Sequence, residues 1–316
     1  MDSPFNCLLF DLDDTLYPSS TGIAQGIKKN IDDFLIEKCG MSVTKASNLR
    51  VELFKTYGST LAGLRALGYD IDADDYHDFV HGRLSYDVIK PDPQLCSLLR
   101  SITQRKIIFT NSDRVHAVKV MKRLGIEDCF DQTICFETLN PNLSESKCVV
   151  LKPSTDAIKI ALHVARVDPP RTVIFLFLFF NFTYFFITIK LSRCSLFLVQ
   201  LFLDDNVQNI SAGKTLGLWT CLVISNFLNK KKNYPFKINE SNIIVWSKVG
   251  KSGEGKEADY AIEEVKNLGD VIPEIWVNKQ DGGDRSRSEL ELDQFNISGD
   301  LIEKDVGLAL TAPLCT

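Results

Sequence analysis

The sequence predicts a doubly wound, Rossmann-like α/β sheet that carries a small helical cap inserted after its first strand. Three observations lead there. Short apolar runs recur along the chain and stop at polar or acidic residues, as buried parallel strands do. Helical patterns fill the spaces between them, which is the signature of βαβ units. One long segment, 19–88, breaks the alternation with helical patterns only.

The first apolar run is "FNCLLF" (5–10), and it ends at Asp11. In the segment that follows, Ile23, Ile27, Ile31, Phe34 and Leu35 fall on one helix face, and "STLAGLRALG" sets Leu61, Leu64 and Leu67 at helical spacing. "KPDPQLCSLLRSI" (90–102) leads back to the sheet, where "KIIFTN" (106–111) is the next strand. Val115, Val118, Met121 and Leu124 are expected to share a helix face after it. "QTICF" (132–136), "LFLDD" (201–205) and "LWTCLV" (218–223) complete the expected strands. The core is therefore expected over 1–18 and 89–276 and the cap over 19–88. A polar, turn-rich tail, 277–316, reads as disordered.

Composition fits a globular domain of this kind: 316 residues, 45% hydrophobic and 24% charged, with net charge −5. The acidic balance argues against nucleic-acid polymers and anionic membrane surfaces as partners. The opening "MDSPFNCLLF" has neither the basic stretch nor the cleavage site of a signal peptide. Nine cysteines are scattered without a C-x-x-C pair, which points to reduced thiols and a cytoplasmic protein. "NKKKN" (229–233) is too short and mixed to stand as a nuclear signal.

Open α/β sheets bind ligands at the carboxyl ends of their strands, and four such ends carry reactive groups here. Asp11 sits at the tip of the first strand and Asp13 two residues on, in "DLDDT". A carboxylate can attack phosphorus to give an aspartyl-phosphate, and a second carboxyl is then needed to protonate the leaving oxygen and later to activate water. Thr110 in "IIFTN" offers a hydroxyl, and Asn111 begins a helix start whose free N–H groups suit a phosphoryl oxygen. Lys152 in "LKPS" is a point charge for the phosphate and the nucleophile. Asp204 and Asp205, with Asp11, form the oxygen-rich set that Mg²⁺ prefers. Taken singly each has an ordinary reading, a helix cap or a surface lysine; their order along the chain is what points to a site.

"DLDDT", "FTN", "KPS" and "LFLDDN" resemble the four motifs of the haloacid dehalogenase superfamily of phosphohydrolases, over about residues 5–276. "DLDDTLYP", "AGLRALGYDID", "HGRL", "IKPD", "IFTNSDRVHA" and "ICFETLNP" look more narrowly like the pyrimidine 5′-nucleotidase-like branch. The resemblance implies Asp11 as nucleophile, Asp13 as acid/base, and Thr110 and Lys152 on the phosphate. It implies Mg²⁺ held by Asp11, Asp204, Asp205 and the main-chain carbonyl of Asp13, with the inserted helices closing over a small phosphorylated metabolite. Asp rather than Ser or Thr at position 13 favours phosphatase over dehalogenase chemistry, since a leaving alkoxide needs a proton and a halide does not. From the cap, His81 or Arg83 could touch substrate, with cap packing the alternative.

Two segments do not fit. "FLFLFFNFTYFFITI" (175–189) approaches the ~20 apolar residues of a membrane span. It is, however, followed by Lys190 and Arg193 and leads into the strand of Asp204. Removing 173–200 joins "RT" to "LFLDDN", and removing 223–248 restores a strand–loop–helix pattern. Both segments start with Val and end with a residue whose codon can end in AG, and both have the composition of translated AT-rich introns. The expectation is therefore two insertions foreign to the fold, with a catalytically silent protein, or one tethered to a membrane through 173–189, as the alternatives. "GKSGEGKE" (250–257) has Glu257 where a phosphate-binding loop needs Ser or Thr, and His77 with His81 lacks a third metal ligand.

Overall fold

The computed structural model describes residues 3–143, 148–167, 199–224, 236–238, 244–246 and 258–276. The chain opens with β1 (Phe5–Phe10) and passes through four helices, α1 (Ile23–Glu37), α2 (Val43–Tyr57), α3 (Thr60–Ala66) and α4 (Ala73–Val80). It continues through α5 (Pro93–Ser101), β2 (Arg105–Phe109), α6 (Arg114–Leu124), β3 (Gln132–Ile134), α7 (Phe136–Leu139) and α8 (Thr155–Val164). Then come β4 (Val199–Asp204), α9 (Val207–Thr215), β5 (Trp219–Val223), β6 (Phe236–Ile238), β7 (Ile244–Trp246), β8 (Tyr260–Ile262) and α10 (Leu268–Val271).

Helix starts follow local chemistry. Asp72, Asp92 and Asp113 each accept the N–H three residues on, and Pro93 follows Asp92 at the first turn of α5. The main sheet has the order β3-β2-β1-β4-β5-β8, and all its pairs are parallel. The chain thus builds outward from β1 through β2 to β3, then crosses to the other side of β1 for β4. The order reverses between β1 and β4, and that switch point is where an open sheet leaves a crevice at its carboxyl edge.

Side chains alternate across the sheet with period two. Cys7, Leu9, Ile107, Phe109 and Phe202 face a core shared with α8, α9 and the helices α1 to α4. Leu8, Phe10, Ile108, Leu201 and Leu203 face the other, with Leu95 and Leu99 of α5 and Ala117, Val120 and Met121 of α6. Helices α1 to α4 pack on one another as a group.

Several details differ from the sequence reading. The buried face of α6 is His116, Ala117, Val120, Met121 and Leu124, whereas Val115 and Val118 are more than half exposed. A valine pair at plausible spacing lost to a neighbouring stripe that includes a histidine. Leu67 lies just past α3 and is exposed. β3 stops at Ile134 because Cys135 already caps α7. β8, at the sheet edge, is three residues long and too short to announce itself. Cys7, Cys39, Cys96, Cys129, Cys135 and Cys221 are free, as reduced thiols would be, but Cys148 is disulfide-bonded.

β4 takes in Val199 and Gln200, the last residues of the first expected insertion. Pairing with β1 is regular from Cys7↔Gln200 to Phe10↔Leu203 and irregular between Phe5 and Cys7. Val223, where the second begins, lies in β5 and pairs with Ile262. β6 and β7 pair antiparallel as a separate two-stranded sheet within that second range. Residues 173–198, the rest of 225–248, residues 250–257 and 277–316 lie outside the described residues. Among the described residues no helix is long and apolar enough to cross a membrane.

Candidate active site

Asp11 continues the ladder beyond β1, its N–H donating to the Leu203 carbonyl at 2.9 Å. Its carboxylate therefore stands at the switch point beside Asp204, the last residue of β4. Between them sits Lys152. Its ammonium donates to Asp11 Oδ1 and to Asp204 Oδ2, each at 2.7 Å, with a side chain only 1% exposed. The rings of Phe109 and Phe202 lie 5.0 and 5.6 Å from Nζ. Asp204 is held further by the Asn206 N–H at 2.8 Å and by the Asn209 amide at 3.0 Å to both oxygens. The Thr15 hydroxyl donates to Asp11 Oδ2 at 3.2 Å.

Lys152 comes from a loop rather than a strand, so its main chain needs an anchor. Asn111 supplies it: its amide nitrogen donates to the Lys152 carbonyl and its amide oxygen accepts the Lys152 N–H, both at 2.9 Å. On the other side Gly58, at φ +75° after α2, leaves only 3.3 Å between a would-be Cβ and Pro153 Cδ, with the Lys152 carbonyl just beyond at 3.4 Å. That turn needs glycine for its backbone and for its closeness. Thr110 is buried at the end of β2, its N–H bonded to Ile134 O and its hydroxyl accepting the Ser112 N–H at 3.1 Å. The structure thus gathers Asp11, Lys152 and Asp204, and sets Asn111 against the Lys152 main chain.

Asp13 has a different environment. Its Oδ1 accepts from Tyr17 Oη at 2.6 Å and faces His116 Nε2 at 2.8 Å, and its Oδ2 accepts from Ser112 Oγ at 2.7 Å. Burial works to raise it, but the His116 charge and these three hydrogen bonds outweigh that and hold the carboxyl well below the usual range. Burial, the largest single effect, lowers His116, but Asp13 and Asp113 together raise it by more, and the net shift is upward. Asp11 goes the other way. Burial, reinforced by the Asp204 and Asp13 charges and opposed by Lys152, pushes it up to about 7. Two carboxyls two residues apart are thereby made chemically unlike.

Ser112, Asp113, His116 and Tyr17 were not singled out by the sequence reading. The available signal was "TNSDRVH": Asp113 caps α6, so His116 sits one turn in and faces back toward the strand ends. Asp113 also pairs with His81 Nδ1 from the end of α4, linking the helical insertion to the sheet. The rings of His77 and His81 stack at 5.6 Å, and His81 lies 4.5 Å from the His116 ring. Burial lowers His77 to about 4 and lowers His81 as well. His81 therefore stands behind Asp113, one side chain removed from Asp13. Arg83 pairs instead with Glu37 at 3.2 Å and lies over the Phe79 ring, both within the helical insertion.

Asp11, Asp204 and Asp205 can each offer a carboxylate oxygen, and these atoms lie within 4.8 Å of one another. All are hard oxygen donors, the set Mg²⁺ takes. Desolvation, then the charges of Asp11, Asp204 and Asp14, raise exposed Asp205 to about 9, so these carboxyls are crowded enough that a proton or a divalent cation relieves their repulsion. The Asp13 side chain is occupied by protein donors and is not among these carboxylates. The donor set fits the ion.

Comparison with known proteins places this geometry in context. The family model of haloacid dehalogenase-like hydrolases matches residues 5–175, more than half of the chain. Phosphate metabolism protein 8 of Saccharomyces cerevisiae is 28% identical over 218 residues, which are 66% of this chain and 58% of that protein. The chain thus spans less than two thirds of that relative's length. Among solved structures, CbbY from Rhodobacter sphaeroides in complex with phosphate is 14% identical, with a TM-score of 0.47 over 84% of this chain and 96% of that one. A HAD phosphatase from Thermococcus onnurineus is 15% identical, with a TM-score of 0.46 over 84% and 97%.

Proposed function

The chain belongs to the haloacid dehalogenase-like hydrolase family, and on that premise we propose that it is a Mg²⁺-dependent phosphomonoester hydrolase working through an aspartyl-phosphate on Asp11. The observation that carries this reading is the ammonium of Lys152 set between Asp11 and Asp204 at the switch point, with Asp13 two residues beyond. Lys152 engages Oδ1 of Asp11 and the Thr15 hydroxyl engages Oδ2, so the carboxylate is held at the strand tip, and one of its oxygens attacks phosphorus. The P–O bond to the ester oxygen breaks, and that oxygen takes a proton from Asp13, which must carry one for this step although His116, Tyr17 and Ser112 favour its ionised form. Asp13 then removes a proton from the water that attacks the aspartyl-phosphate. Lys152 and the Thr110 hydroxyl hold phosphoryl oxygens. Asp11, Asp204, Asp205 and the Asp13 carbonyl would hold Mg²⁺, whose charge would offset repulsion between a carboxylate and an anionic phosphate.

Nucleoside 5′-monophosphates, pyrimidine ones first, are the substrate class supported by the narrower sequence resemblance, and the yeast relative is a protein named for phosphate metabolism. With purified chain, uridine and cytidine 5′-monophosphates are expected to release phosphate faster than purine nucleotides or sugar phosphates, and chelation is expected to abolish release until Mg²⁺ is restored. Turnover that survives exhaustive chelation refutes the metal; no release from any ester refutes the phosphatase and favours a silent protein.

The same reading treats 19–88 as a cap on a core of 1–18 and 89–276, and 173–200 with 223–248 as foreign to it. The end of the family match at residue 175, just inside the Phe-rich run, supports this. A chain lacking both segments is expected to stay in solution, unfold cooperatively and turn over with Mg²⁺, while the full chain aggregates or works weakly. Equal solubility and equal turnover would overturn it; membrane association of the full chain that resists carbonate would favour the tethered form.

A further inference from the structure

We propose that Cys96 and Cys129 form a redox modification site, at which a low-molecular-weight disulfide joins the two thiols into a bond that staples α5 to the turn after α6. The proposal does not depend on the phosphatase reading and uses no residue of that mechanism.

Among the described residues six cysteines are free, and these two meet: their sulfurs lie 3.9 Å apart across 33 positions of sequence. Fixed main chain delivers each sulfur. Cys96 stands in the first turn of α5, its N–H donating to the Asp92 carbonyl at 3.0 Å. Cys129 closes the short turn Glu127–Cys129, its N–H donating to the Ile126 carbonyl at 3.0 Å. An ion pair links the same two elements. Arg100, one turn beyond Cys96, meets Asp128, next to Cys129, at 2.7 Å. A disulfide needs about 2.05 Å between its sulfurs. The remaining closure of about 2 Å is of the size that rotating two cysteine side chains supplies, so the bond asks little of the main chain.

Cys129 is buried and Cys96 only half-buried, so the oxidant meets Cys96 first. Burial, then Cys96 and Asp128, push the Cys129 thiol up to about 11 against the opposing Arg100 charge, which also suits it to the second step rather than the first. The Cys96 thiolate attacks one sulfur of the small disulfide, whose S–S bond breaks. The other half departs with the electron pair and takes up a proton. The Cys129 thiolate then attacks the Cys96 sulfur and expels the second half as a thiol. Two protein thiols have lost two electrons and two protons, and the small disulfide has become two thiols. The new bond closes a loop that contains β2, Thr110, Asn111 and all of α6, and so restrains that segment in the unfolded chain.

The test treats the native full chain with oxidised glutathione, quenches in acid, alkylates, and digests without reductant. Most of both cysteines are expected in one linked peptide that dithiothreitol separates. Cys129→Ser is expected to stop at a glutathione adduct on Cys96. After treatment the wild type is expected to melt about 5 °C above that variant treated alike, beyond any difference between them beforehand. If the variant fails to fold, the wild-type peptide map decides alone. A wild type that stays reduced at both positions, or that stops at the Cys96 adduct, overturns the proposal. So does a link that forms only once the chain has been unfolded, and a linked chain that melts no higher overturns the staple.

Discussion

Asp11→Asn is expected to abolish phosphate release, lowering turnover at least about 10⁴-fold while leaving the fold intact. Asparagine keeps the shape and can still accept from Lys152 through its amide oxygen, so the ammonium that meets Asp11 Oδ1 at 2.7 Å retains a partner. What it loses is the anionic oxygen that attacks phosphorus. The stability consequence has the opposite sign to that of most active-site substitutions. Burial and neighbouring carboxylates push Asp11 up to about 7. A group raised in the folded state favours folding below its unfolded value and loses that contribution as pH rises toward its folded one. Above pH ~7 the metal-free wild type must carry this carboxylate ionised among Asp204 and Asp205, and the asparagine variant need not. The variant without metal at pH 8 is thus expected to unfold no earlier than wild type, and to gain less from added Mg²⁺. Phosphate release within tenfold of wild type, with contaminating phosphatase excluded, would remove Asp11 from the nucleophile's role.

How far such a site is readable from sequence depends on whether each part sits in a local pattern. Asp11 and Asp204 were legible because each ends an apolar run, and the doubly wound strand order sets β1 beside β4. Lys152 was legible only through its order after Thr110, since a loop lysine has no periodicity to betray its burial. Asn111 was read for its place at a helix start, whereas its side chain holds the Lys152 main chain; a bond across 41 residues leaves no local trace. The environment of Asp13 was the part not read. Tyr17 is four residues from it and Ser112 and His116 are about a hundred, so only the folded sheet shows that all three converge on one carboxyl. Arg83 was read as a cation that could touch substrate from the cap; in the structure it pairs with Glu37 and lies over the Phe79 ring.

Lys152→Met is expected to cost both catalysis and stability, and the two losses should separate with pH. Methionine roughly matches the length of the aliphatic stem and suits the space beside Phe109 and Phe202. The packing loss is therefore small and the charge loss dominates. Removing the cation leaves Asp11 and Asp204 facing each other with side chains 10% and 0% exposed. Breaking a buried pair by deleting one partner typically costs about 3–5 kcal/mol, because the remaining charge stays buried without compensation. That cost requires both carboxylates to be ionised. With Asp11 raised to about 7, at pH 5 it holds its proton and only Asp204 leans on Lys152. Without the ammonium, which works to lower Asp11, its value rises further. Metal-free Lys152→Met is accordingly expected to be destabilised modestly at pH 5 and by the larger amount at pH 8, measured as denaturant midpoints at each pH. Added Mg²⁺ should recover part of the stability at pH 8, since it places charge among the same carboxylates, yet turnover should remain at least about 100-fold down, because no cation then stands where Lys152 met the phosphate. Lys152→Arg is not expected to rescue: it keeps the charge but forces a planar guanidinium into a slot where the native side chain is 1% exposed. Equal destabilisation at the two pH values would show that Lys152 serves packing rather than charge balance, and would take from the site the group on which its whole electrostatic arrangement turns.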